Sequence, residues 1–254
     1  MANFVHPDSI VRTIWGRGDT VLLIFAGASA EFALNKSVDW LYFTGKLPAD
    51  PLGRLFSTVS YAQQIVFAEE DRANMAIDHI AAIHKGVESK RGASIPADAY
   101  LDVLYMLIHY SIASYELLER PLQPAEKAEV FDVFQRVGRR MGLTGIPEDF
   151  AAWERMRLQA VKDRLEGSSF SHDLYRRYRK SLGPVRYALL IHAQVLLVPG
   201  RVRRLLDLPS VHWLYPVVQV YRLCRWLKMD KGIKRVLLPP RYREQVFGLD
   251  QKMG

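Results

Sequence analysis

The sequence predicts an all-α chain: a single multi-helix bundle with a C-terminal helical extension. Apolar residues recur at three- and four-residue steps through nearly the whole chain, the period of amphipathic helices. No alternating strand pattern and no strand–helix–strand rhythm breaks that periodicity. The chain is 49% hydrophobic and 24% charged over 254 residues, which suits a globular protein long enough to bury a core.

The elements follow in order. Gly18-Asp19 opens an apolar run to about Leu34. Its Val21–Ala30 stretch has the look of a signal-peptide core, but Asp8 and Asp19 precede it and Glu31 follows at once, so a buried helix is the better reading. Residues 48–53 (PADPLG) read as a turn, and a helix follows from Arg54 to about Ala68 with Leu55, Val59, Ala62 and Val66 in phase. Glu69-Glu70-Asp71 starts the next helix, its acids placed at the positive end of the helix dipole. Its stripe is Ala73, Ala76, Ile77, Ile80, Ile83, His84 and Val87. Lys90–Ser94 reads as a loop. Pro96 stands where a first-turn proline is tolerated, before a long helix with Leu101, Leu104, Ile108, Ile112 and Tyr115 aligned. Pro124 to Met141 is another helix, with Gly142 placed to close it in a left-handed conformation. Phe150 to Leu165 is the next, and Ser171 is the expected N-cap of the helix after it.

Charge divides the chain. Residues 172–254 hold 17 Lys+Arg against 5 Asp+Glu, whereas residues 1–171 hold 18 against 22. The expected organisation is a core at 1–171 and a basic extension at 172–254 packed on it. Trp213, Tyr215, Tyr221 and Trp226 stand among the arginines of the extension. Rings with basic heads suit a lipid headgroup layer, and a solvated basic surface explains them equally well. No nucleic-acid-binding motif is present. Pro184–Gly200 is apolar but short and interrupted by Arg186, His192 and Gln194, so no transmembrane span is expected. A peripheral membrane contact stays open.

Several chemistries lack their residues. The single cysteine, Cys224, excludes an intramolecular disulfide, a Cys-based zinc site and covalent c-type haem, and makes a reducing, cytoplasmic setting the natural expectation. No glycine-rich phosphate loop, no GxSxG and no HExxH occurs. Glu-x-x-His, which a di-iron bundle needs on two helices, is absent.

What remains is His84. An imidazole on an apolar stripe costs free energy unless its nitrogens are satisfied. One reading is a core histidine bonded to a backbone carbonyl, which is the more ordinary outcome. The other is an axial iron ligand on a rigid helix, with apolar walls for a porphyrin. His109, beside Ile108 on the next long helix, is the rival ligand. His79 is five residues from His84 and does not share its face. Arg54 and Thr58 are four apart and project from one helical face. Such a pair supplies donors that can steady bound oxygen, and it also occurs as an ordinary surface pair.

The order of segments DPLGRLFST, VFAEEDRANMAIDHIAAIHKGV and ELLERPLQPAEKAEVFDVFQRVGRRMGL resembles the oxygenase family of the fungal MpaB enzymes and the bacterial latex-clearing proteins, the rubber oxygenases. The resemblance runs from about Gly18 to Leu165, with a weaker echo at Leu237–Arg241. It implies an all-α fold related to globins, a non-covalent haem b and cleavage of carbon–carbon double bonds of isoprenoid chains by O₂. The His-x-x-Val segment that carries the family's proximal ligand matches His84 to Val87, which puts His84 ahead of His109 as the iron ligand. The family's Arg-x-x-x-Thr on the O₂ side matches Arg54 and Thr58. Phe32 to Lys36 stands where many bacterial relatives have Ala-His-Pro. Ser57 replaces the lysine of the latex-clearing branch, and that branch's carboxylate base has no clear counterpart. Glu31 and Asp39 are candidates by nearness in sequence. The implied function is a haem-dependent oxygenase acting on an apolar, unsaturated substrate. A non-catalytic haem sensor or carrier, and a haem-free helical module on a membrane surface, are the alternatives.

Overall fold

The computed structural model describes residues 2–43, 51–209 and 214–226, with the side chains of 41, 51–57 and 223–226 outside that description. Among the described residues the regular structure is helical, with two isolated bridges, Asn3 to Glu69 and Asn35 to Leu165. The helices are α1 (Ile10–Trp15), α2 (Gly18–Phe32), α3 (Asp39–Phe43), α4 (Pro51–Val66), α5 (Glu70–Arg91), α6 (Ala97–Leu118), α7 (Pro124–Arg140), α8 (Phe150–Asp163), α9 (Ser169–Leu197), α10 (Gly200–Leu205) and α11 (Leu214–Trp226). The all-α expectation holds.

Local chemistry sets the ends. Ser9 caps α1 by accepting from Val11 N, and Asp149 caps α8 by accepting from Ala152 N at 2.7 Å. The Gln123 N–H donates to the Glu126 carboxylate at 2.7 Å, and Pro124 follows at the first helical position, where no partner for its missing N–H is needed. Gly142 follows α7 with φ of 76°, as its position predicts. Three boundaries differ from the expectation. Pro51 and Gly53 belong to α4 rather than to a turn, because a proline is as well suited to a helix's first turn as to a bend. Lys90 and Arg91 complete α5. The cap of α9 is Ser168, and Ser171 is the reciprocal member of its capping box.

Packing centres on α2. Its longest contact is with α6, and α9 lies on another side. Gly27 makes the first contact possible, since a methyl there would overlap the Tyr110 ring. Val21, Ile24 and Ala30 are buried on α2, as are Leu101, Leu104, Ile108, Ile112 and Tyr115 on α6. Trp15, fully buried, donates its indole N–H to Ser111 Oγ at 3.1 Å and meets Phe25 edge to face. The Val21–Ala30 run is therefore interior helix.

The basic third contributes to this packing. Leu174, Tyr178, Val195 and Leu197 of α9 are buried, and Gln194 Nε2 donates to the Ala26 carbonyl at 3.2 Å. Gly183 takes φ of 72° before Pro184, and the two bend α9, because a left-handed residue and a missing N–H cannot both continue a helix. On α11, Leu214 and Val218 pack with Leu118, while Tyr221 Oη donates to Asp19 at 2.8 Å. Among the described residues no helix is long and apolar enough to cross a membrane.

Candidate functional site

The stripe of α5 splits into two parts. Near the start of the helix, Ala73 and Ile77 are fully buried. Beyond them the same face stays apolar yet loses its cover: Ile80, His84 and Val87 are half-buried, and Ile83 is 38% exposed. On α6, Val103 is likewise exposed, at 39%. A closed core would hide such residues.

His84 lies in this half-covered stretch. Its ring meets the ring of Tyr100, at the start of α6, with centroids 5.2 Å apart and planes at 67°. Tyr100 is itself held. Its hydroxyl donates to Glu88 Oε1 at 3.3 Å, and that oxygen also accepts from Ile95 N at 2.8 Å. Burial, and then the charge of Glu88, push the Tyr100 phenol up to about 12, so it keeps its proton at neutral pH.

The helix carrying Arg54 and Thr58 is α4, joined to α5 by three residues. So short a link makes the two helices an antiparallel hairpin, and Tyr61 of α4 meets His79 of α5 at 6.0 Å between ring centroids. At a rise of about 1.5 Å per residue, stepping back along α4 from that contact reaches Thr58 and then Arg54. Stepping forward along α5 reaches His84 at a level between them. Thr58 is exposed; the Arg54 side chain lies outside the described residues. His79 faces α4 and His84 faces α6, so the hairpin brings the three predicted residues to one end without stacking Thr58 on His84.

These surroundings fit a haem. A porphyrin needs an axial imidazole and apolar walls. His84 would supply the first, and Ile80, Ile83 and Val87 on the same helix the second. Among the described residues no three His, Cys, Asp or Glu side chains are grouped to hold a metal ion.

The rival imidazole has a different setting. His109 faces away from Tyr100 on α6, enclosed deep in the bundle although part of its surface stays accessible. Burial, and then the positive charge of Arg157, lower its pKa to about 3. Close by is an ion pair that sequence inspection missed. Arg157 of α8 binds Glu31 through both terminal nitrogens, at 2.7 Å for one pair of atoms, and Tyr110 Oη donates to the same carboxylate at 2.9 Å. Glu31 is 2% exposed. The only sequence signal was an acid at the end of an apolar run. Asp39 is engaged too, accepting from Arg91 at 2.7 Å. Both carboxylates considered as bases thus hold cations.

The all-α domain thus presents His84 on a half-covered apolar stripe of α5, with α4 packed beside that helix. The family model described as "ER-bound oxygenase mpaB/B'/Rubber oxygenase, catalytic domain" matches residues 15–229, and the chain belongs to that family. No curated protein matches it significantly.

Proposed function

We propose that this oxygenase domain uses haem b to add O₂ across a carbon–carbon double bond of an apolar, isoprenoid-like substrate. His84 on the half-covered stripe of α5 is the observation that carries the reading. When bound, the haem supplies redox-active iron at which O₂ is activated. The residues of the chain do the rest. His84 Nε2 would hold the iron, and the Tyr100 ring limits how the imidazole turns. Arg54 and Thr58 would supply hydrogen-bond donors to O₂ where negative charge develops during the reaction. Ile80, Ile83 and Val87 would offer an apolar surface that favours a hydrocarbon substrate.

The stoichiometry balances without an added reductant: one double bond and one O₂ give two carbonyl groups. The partners are therefore O₂ and a small apolar substrate, with no nucleic acid. We place the protein in the cytoplasm, with the excess positive charge of residues 172–254 available for a peripheral contact with anionic lipid.

The test is oxygen uptake by the haem-loaded protein with an unsaturated isoprenoid, alongside analysis of carbonyl products. Uptake matched by two carbonyls per O₂ supports the proposal. A stable oxygen-bound spectrum with no uptake would instead identify a haem sensor or carrier. A colourless protein that takes up no haem and binds anionic vesicles in a salt-dependent way would identify a membrane-surface module.

A further inference from the structure

Arg91 ends α5, seven residues and two turns beyond His84, and so stands on the same face of the helix at about 10 Å along it. Its guanidinium lies 3.9 Å from the Trp40 ring centroid and 5.3 Å from that of Phe43. One terminal nitrogen, NH2, donates to Asp39 Oδ2 at 2.7 Å. The other, NH1, is buried and makes no hydrogen bond. A buried guanidinium N–H without an acceptor is costly, and folded proteins seldom leave one. Asp39 and Trp40 therefore explain where the side chain rests, but not what NH1 serves.

The missing acceptor should be an anion or a strong neutral oxygen that reaches the α5 face from the His84 side. Arginine suits a carboxylate best, because its planar fork can bind two acceptors through separate nitrogens. We infer that Arg91 NH1 binds a propionate carboxylate of the porphyrin held by His84, with Asp39 and Trp40 fixing the guanidinium to receive it. The separation of two helical turns is comparable with that between the centre of a porphyrin and the ends of its propionate arms. This inference rests on the haem reading above and adds to it the orientation of the macrocycle: its carboxylate edge faces the α3–α5 corner.

The test is a spectrophotometric titration of the haem-free protein with haemin and with haemin dimethyl ester, whose carboxylates are masked. The wild-type protein is expected to bind haemin about ten- to a hundredfold more tightly, the range of one charge-assisted hydrogen bond. Arg91→Ala removes most of that preference by weakening haemin alone. Arg91→Lys keeps the charge but gathers its donors on one nitrogen, without the planar fork that spans Asp39 and a second acceptor, so it also narrows the gap and covers the case in which Arg91→Ala misfolds. Asp39→Asn, whose amide oxygen can still accept from NH2, keeps the preference. Equal affinities in the wild-type protein, or a preference that survives both Arg91 variants, would overturn the inference while leaving His84 as ligand intact. If neither porphyrin binds, the haem reading itself falls and takes the inference with it.

Discussion

Arg157 grips Glu31 through two hydrogen bonds, tying α8 to α2 in the interior, and Tyr110 adds a third bond from α6. Both charges are nearly sealed from water, at 5% and 2% exposed. Removing one member of such a pair strands the other. Glu31→Gln is therefore expected to cost about 3–5 kcal/mol of stability, measured by urea unfolding of the purified protein. A variant as stable as wild type but inactive would return Glu31 to the role of catalytic base.

The contact between α2 and α6 depends on the absence of a side chain at Gly27. Gly27→Ala drives a methyl into the Tyr110 ring, which is fully buried and bonded to Glu31. Overpacking of this kind costs about 1–3 kcal/mol, occasionally more. It should appear as a lower midpoint in denaturant with little change in slope, whereas a neutral result would mean that the two helices can separate freely.

His109 makes stability depend on pH. Its pKa is about 3 in the folded protein and near 6.5 when unfolded. Between those values the unfolded chain binds a proton that the folded chain refuses. Its contribution is thus complete above about pH 6.5 and is lost as the pH falls toward 3. His109→Gln should flatten the stability–pH curve through that window relative to wild type, as read from denaturant midpoints at several pH values. Identical slopes would show that the imidazole titrates normally in the fold.

On the proposed reading, Arg54 and Thr58 would act on bound O₂ rather than hold the iron, so changing them should affect chemistry more than haem retention. Arg54→Ala and Thr58→Val are each expected to lower turnover by about 10²–10³, with the haem absorbance band still present. Oxygen-uptake rates per haem measure this. Full activity in both variants would remove them from the site.

Periodicity in the sequence gave away which face of each helix is apolar, but not what covers that face. The stripe from Ala73 to Val87 was readable as one continuous feature, yet the structure buries its first half and leaves the half around His84 only partly covered. Residues 51–53 were misread because a proline–glycine pair signals a bend and a helix start alike. Ser168 and Ser171 each suit an N-cap, and only the folded backbone shows which residue caps and which reciprocates. The partners Glu31–Arg157 and Asp39–Arg91 are separated by 126 and 52 residues, so no local spacing connects them. Spacing alone picks out Arg54 and Thr58 only weakly, since two polar side chains four apart are common on any helix, and the family resemblance is what gives the pair weight.

Absorption spectra of the haem-reconstituted wild type, His84→Ala and His109→Ala proteins provide the decisive comparison. An intense Soret band in the wild type and in His109→Ala, with loss of the bound-haem spectrum in His84→Ala, is the predicted result. A full Soret band in His84→Ala, together with its loss in His109→Ala, would contradict the assignment of His84 as the iron ligand.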